Sequence, residues 1–405
     1  MTMIDQKGID GLSISSSELE FILLLFPFFI PQYLMNLSYI STFVEGYKLC
    51  ALFYVLINIR KDNLNIPIAL YLVIIFKILD LIPFLQGSTL SMRTLYLWTK
   101  DFYSVLLLCY IIFLECKRDY VSAVQKLYWI LSIWIVLHVI IFYTTGIELL
   151  GIRTKISHSL IVCLTLCLAA KELGQKRFSI YDYIFLGLSI FYIINRSIST
   201  VILTTSALFI GYYLAKFSFA YRIFNYFAII TACITLNLSI LFFRIQNYFS
   251  WLLVDLLHED LSLNKRTYIW DDVIRQCREK VWLGHGISGE NRRTVLVNIV
   301  NPDIGMNLTD PIQVHNQLLS ILYFNGVIGL GLFLAILLTA GVRIKACVNK
   351  RVVILLIFGM AAITIAGIAE LSSENLSFYV LLMFIALCDH SNPTVPVGRK
   401  VKSEV

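Results

Sequence analysis

The chain is poor in charge, and its cysteines and histidines do not cluster. Only 15% of its 405 residues are charged, where a soluble domain carries about 25%. The surplus of basic residues, net +7 at pH 7, is scattered over short stretches, which argues against a nucleic-acid site. Nine cysteines contain no C-x-x-C pair. Eight lie in or beside apolar runs, and only Cys277 falls in the one long polar stretch, so no disulfide can form within that stretch. The six histidines are spread apart, so no metal site is expected. The start, MTMIDQKGIDGLSISSSELE, has no basic segment before a short apolar core, so no cleaved signal peptide is expected. Internal repeats and low-complexity segments are missing as well.

What the chain does have is long apolar runs. Hydrophobic residues make up 58% of it. Twelve runs can be drawn, at 19–37, 39–59, 66–85, 101–116, 127–143, 157–171, 180–195, 197–215, 224–243, 316–341, 352–369 and 376–389. The composition predicts an all-α, polytopic membrane protein of about twelve transmembrane helices. Pro27 and Pro31 should kink the first. Fourteen Lys and Arg residues follow even-numbered runs in short loops, against five on the other side. The positive-inside rule then puts both termini in the cytoplasm and the stretch 244–314 outside. The expected organisation is transmembrane helices over 1–243, an extracytoplasmic loop over 244–314, further helices over 315–389 and a cytoplasmic tail over 390–405.

The run HNQLLSILYFNGVIGLGLFLAILLTAG, from His315 to Gly341, is apolar for about 24 residues, enough to cross a bilayer. Asp310-Pro311 upstream is a favoured helix start and would place His315 in the first turn. At about 100° per residue, Gly326 and Gly329 then share the His315 face with Leu319 and Leu322, two glycines roughly 16 Å below an imidazole. One reading is an interfacial histidine above a glycine stripe that admits a neighbouring backbone. The other is a catalytic base at the water-facing end.

Two further features fall on the same side. Arg196, in FYIINRSISTVIL, is the only charge between Asp182 and Lys216. It either snorkels to lipid headgroups or holds a guanidinium ready to grip a diphosphate. In the long stretch, KRTYIWDDVIRQCREKVW places Trp270, Val273, Ile274, Cys277 and Val281 at helical spacing, with Arg275, Arg278 and Glu279 opposite. This predicts an amphipathic helix lying on the membrane surface. LGHGISGEN then makes a flexible turn around Gly284, Gly286 and Gly289.

His315-Asn316, nine residues and Gly326-x-x-Gly329 resemble the signature of the bacterial O-antigen ligase and O-antigen polymerase superfamily. Arg196-Ser197 looks like the superfamily's essential arginine at the outer end of a helix hairpin. Arg266, Ile269, Trp270, Gly284 and Gly286 match its loop block, although Val281-Trp282 stands where the family often has proline. The likeness covers roughly 180–375. It implies a GT-C-like fold and glycosyl transfer from undecaprenyl-diphosphate-linked glycans in the bacterial cytoplasmic membrane, with the site on the extracytoplasmic side. The partners it implies are lipid-linked donor and acceptor, the bilayer and a chain-length regulator protein. It implies neither a cofactor nor nucleic acid.

On this reading Arg196 and Arg266 stabilise the leaving diphosphate and His315 deprotonates the acceptor hydroxyl, with no metal. Asn316, Trp270, Glu370 and Glu374 are the candidates for substrate binding; the two glutamates either hold sugar hydroxyls or are simply solvated. Asp271-Asp272 resembles a metal-binding pair, but acids favour a helix's first turn in any case. His285 is expected to be a solvated loop residue. The loop block and the unbroken HNQLLSILYFNGVIG look more like a repeat-unit polymerase than a ligase that transfers glycan to lipid A-core. A transporter or flippase would show inverted repeats and more deep charges than Lys48, Lys77 and Asp80.

Overall fold

A computed structural model of the chain describes residues 16–59, 66–81, 92–151, 153–175, 177–196, 199–256, 260–263, 265–286, 294–297, 299–301, 306–308, 311–371 and 374–391. Ser197, Gly289, Asp310 and the carboxy-terminal tail, all used in the sequence reading, lie outside the described residues. Among the described residues the architecture is all-α, with four three-residue strands in the long loop.

Each apolar run becomes helix. The first is broken, as its prolines require. Helix α1 (Ser16–Leu25) gives way to a 3-10 turn at Phe26–Phe28, and α2 (Gln32–Met35) starts just after Pro31. Then come α3 (Ser38–Ile59), α4 (Ile68–Leu79) and α5 (Met92–Thr145). Two runs are joined in α5, which leaves helical geometry at Asp119 (φ −153°, ψ 99°). Lys126 Nζ lies 2.6 Å from Glu115 Oε1, whereas a straight helix would hold residues eleven apart at about 16 Å. The two limbs therefore fold back on each other and count as two passes.

Helices α6 (Arg153–Gly174), α7 (Ile180–Asn195), α8 (Ser199–Leu214), the short α9 (Ala220–Ile223) and α10 (Tyr226–Phe243) follow. After the long loop come α12 (Gln317–Ile344), α13 (Lys350–Ala366) and α14 (Leu376–Ala386); α11 belongs to the loop. Helix α14 is buried on every side, and α13 nearly so. These two and α6 form the centre. Large apolar side chains such as Phe43, Phe53, Ile180 and Phe243 stay exposed around the outside, the pattern of a surface made for lipid. Five described helices are long and apolar enough to cross a membrane, and five shorter ones are apolar.

Contacts sort the helix ends into two groups. At one end, the Tyr33 N–H donates to Leu149 O (3.1 Å), Arg196 pairs with Glu148 and the Gln317 N–H donates to Gly367 O (2.7 Å). At the other, Arg343 pairs with Asp389 (2.6 Å) and Arg351 with Glu172 (3.3 Å). The deep charges are paired: Lys77 with Asp101 (2.8 Å), Lys48 with Glu45 (3.2 Å), and Asp80 accepts from Asn325 (2.7 Å). Pairing is what a buried ionisable group needs in a low-dielectric interior.

The long loop is a packed unit. Its helix α11 (Arg266–Cys277) buries Ile269, Trp270, Val273 and Cys277 against Leu241, Leu319 and Phe324. Strand β1 (Thr294–Leu296) pairs antiparallel with β4 (Pro311–Gln313), and β2 (Ile299–Asn301) with β3 (Met306–Leu308). The sequence reading had no strands here and laid α11 on the membrane. The structure corrects both points: the apolar face of α11 is covered by protein. Burial pushes the Cys277 thiol up to about 12, and all nine cysteines are free.

Candidate active site

His315 is placed by three neighbours in sequence. Residues 311–313 are strand, so Pro311 starts no helix, and α12 begins only at Gln317. His315 therefore stands between ladder and helix, in the left-handed region at φ 51°, a conformation uncommon for residues other than glycine. On one side, Val314 is buried and its carbonyl accepts from Trp270 Nε1 at 2.8 Å. On the other, Asn316 caps α12: its Oδ1 accepts from the Leu319 N–H at 3.0 Å. The same side chain donates to Asn237 Oδ1 (2.9 Å) and to Ile368 O (3.1 Å), tying α10 and the end of α13 to the cap. Asn316 and Trp270 are both fully buried. Their polar groups are spent on hydrogen bonds within the protein beside His315.

The glycines do not share a face with His315. Helix α12 leaves helical geometry at Gly326 (φ 63°, ψ −166°). The break is filled by the turn at 281–286. The Gly286 N–H donates to Phe324 O (2.9 Å), His285 N–H to Tyr323 O (2.7 Å) and Val327 N–H to Val281 O (2.9 Å). A Cβ on Gly326 would stand 2.2 Å from Trp282 O, and one on Gly284 2.5 Å from the Phe324 carbonyl carbon. A backbone does approach Gly326 closely, but it comes from the outer loop. His285 is half-buried, not solvated: its ring stacks on Tyr323 at 4.5 Å, and its Nε2 lies 3.0 Å from Gln276 O.

Glu370 joins two of the expected site residues. Its Oε1 accepts from Arg266 Nη2 at 3.2 Å, and its Oε2 faces His315 Nδ1 at 3.9 Å. Arg266 opens α11, His315 precedes α12, and Glu370 follows α13. Three segments far apart in sequence thus meet at one end of the bundle. The second carboxylate, Glu374, is exposed nearby. Between them opens a cavity of about 390 Å³, with Phe28, Phe29 and Trp134 on its wall.

Arg196 caps α7 within a second cluster at the same end. Its Nη2 donates to Glu148 Oε1 at 2.8 Å and its guanidinium lies 4.5 Å from the centre of the Phe142 ring. Glu148 was missed in the sequence, although an acid in a short loop on the side of Arg196 was a readable signal. Leu150, two residues on, lines the cavity. The acid pair is occupied too: Asp271 bonds to Arg244, and Asp272 to Arg275 and to Gln276 (2.8 Å).

Residues 183–334 match the family model described as O-antigen ligase. A curated O-antigen ligase of Pseudomonas aeruginosa is 36% identical over 126 residues, 30% of this chain and 29% of that protein. The chain thus spans under a third of that relative's length in the match. No solved structure matches. The matched segment holds Arg196, Arg266, His315, Gly284 and Gly326, with Glu370 beyond it. The segment that carries the signature is thus similar to the O-antigen ligase family over residues 183–334.

Proposed function

We propose that the protein is an inverting, metal-independent glycosyltransferase of about twelve passes and GT-C-like fold. It works at the outer face of the bacterial cytoplasmic membrane. The donor is a glycan on undecaprenyl diphosphate, and the acceptor is a hydroxyl of a second lipid-linked repeat unit, so the product is a longer polysaccharide of O-antigen or capsule type. The observation that carries this reading is the meeting of Arg266, Glu370 and His315.

The chemistry is a single displacement. The acceptor oxygen forms a bond to the anomeric carbon as the bond from that carbon to the diphosphate oxygen breaks, and the electron pair leaves with the diphosphate. Two arginines suit that charge, Arg266 at the centre and Arg196 from the neighbouring cluster, because a planar fork can grip phosphate oxygens in pairs. The acceptor proton goes to His315. Glu370 opposite Nδ1 favours the tautomer with hydrogen there, which leaves Nε2 to act as base.

A second reading keeps the step and changes the acceptor to lipid A-core. The relative's description as a ligase favours it. Purified protein given lipid-diphosphate repeat unit alone, in chelator, should build a ladder of longer glycans. Glycan that appears only on added lipid A-core would give the ligase reading. If neither product forms while lipid-linked sugar crosses the membrane, the enzyme reading is lost.

A further inference from the structure

Two elements deliver the Arg196–Glu148 pair: α7, which leads into Arg196, and the turn 146–151 after α5, which carries Glu148. One side chain that the proposed reaction does not use reaches both. His138 on α5 is fully buried, and a buried imidazole needs partners for both ring nitrogens. Its Nδ1 accepts from the Leu150 N–H at 3.0 Å, two residues past Glu148. That bond leaves Nδ1 without hydrogen, so in the neutral ring Nε2 carries it and donates to the Tyr192 hydroxyl at 3.2 Å. Tyr192 is fully buried too and stands one turn before Arg196, whose N–H donates to Tyr192 O at 3.0 Å. The Tyr192 hydroxyl lies in the field of both Arg196 and Glu148. One turn along α5, Phe142 stacks on the His138 ring (6.2 Å between centres) and faces the Arg196 guanidinium.

We propose that His138 is a positioning residue that sets Arg196 and Glu148 against each other, through Tyr192 on one side and the turn on the other; its effect on turnover rests on the glycosyl-transfer reading above. A guanidinium grips a diphosphate in pairs only where its plane and its edge are fixed. The Phe142 ring fixes the plane and Glu148 the edge. Glu148 keeps that place while its turn is anchored. The turn runs between two left-handed glycines, Gly146 (φ 75°) and Gly151 (φ 95°), and two bonds from outside hold it: the Tyr33 N–H to Leu149 O (3.1 Å) and the Leu150 N–H to His138. A ring that only fills the core is replaceable by leucine. One that positions the pair needs an acceptor where Nδ1 stands.

The test uses the full chain in detergent. Hydrogen exchange of residues 146–151 is read by mass spectrometry. Glycan transfer is measured against the concentration of lipid-diphosphate repeat unit, with lipid A-core supplied as well. His138→Leu should speed exchange of 146–151 about tenfold, the scale of one lost hydrogen bond. It should raise the half-saturating repeat-unit concentration about as much, with a smaller change in kcat. His138→Asn, whose amide oxygen can take the place of Nδ1, should return both toward the parent. Tyr192→Phe leaves the Leu150 bond in place and should not speed exchange. Leucine without effect, no rescue by asparagine, faster exchange in Tyr192→Phe, or faster exchange spread over the whole chain overturns the assignment. The two readouts separate the ideas. The expected exchange pattern in a protein that transfers glycan to neither acceptor sinks the reaction and leaves the positioning of the pair. Transfer by the parent with no rescue by asparagine sinks the positioning alone.

Discussion

Glu370 turns its second carboxylate oxygen toward Nδ1 of His315 at 3.9 Å while its first holds Arg266 at 3.2 Å. One side chain, outside the segment matched by the family model, thus faces both an imidazole and a guanidinium. The proposed roles differ in their expected cost. His315→Ala should lower glycan transfer by about 100- to 10,000-fold, the usual contribution of a general base, and leave the melting temperature nearly unchanged because the ring is partly exposed. A full loss of folded protein in His315→Ala would show that its role is structural.

Arg196→Lys keeps the charge and loses the fork. A charge-assisted hydrogen bond is worth about 1.5–3 kcal/mol, so transfer should fall by roughly 10- to 100-fold. Full activity in the lysine variant would mean that Arg196 acts only as a partner of Glu148.

Trp270→Phe should separate positioning from packing. The ring volume is largely kept, and the hydrogen bond to Val314 O is lost, which costs about 1 kcal/mol of stability. Transfer should fall further than that loss explains, because the residue released is the neighbour of His315. Equal activity at a slightly lower melting temperature would limit Trp270 to the core.

Gly326→Ala should destabilise the fold by about 1–3 kcal/mol, through a left-handed backbone and a clash with the inserted turn. Gly331, in the same helix, has open space at its Cβ position, so Gly331→Ala should stay within about 0.5 kcal/mol of the parent. Thermal unfolding in one detergent compares the two; similar losses would remove the wedge from the account of α12.

Topology is tested with thiols. A cysteine at Glu279, which is exposed, should react with an impermeant maleimide in intact cells, and one at Ser218, exposed at the opposite end, should not. Native Cys277 should remain silent at pH 8. Burial pushes its thiol up to about 12, so the reactive thiolate forms only as pH approaches that value. Labelling at Ser218 in place of Glu279 would invert the assigned sides and remove the outward-facing site.

The positions of the helices were legible in the sequence because lipid imposes a simple rule: an apolar run of sufficient length must satisfy its own backbone as helix. The break in the first run followed from Pro27 and Pro31. The identities of Arg266 and His315 as neighbours in a site were legible only as a resemblance. Tertiary structure decided the rest. Asp310-Pro311 reads locally as a helix start, yet Pro311 pairs with Leu296 in a strand because the ladder β1–β4 satisfies the backbone there. Helix α11 reads as a membrane-surface helix, since an apolar stripe does not reveal whether lipid or protein covers it. Gly326 and Gly329 looked like a stripe for a neighbouring helix, but the turn at Gly284 occupies the break. Glu370 showed no local signal beyond its side of the membrane. Its place between Arg266 and His315 exists only because the starts of α11 and α12 meet the end of α13, and no spacing along the chain encodes that meeting.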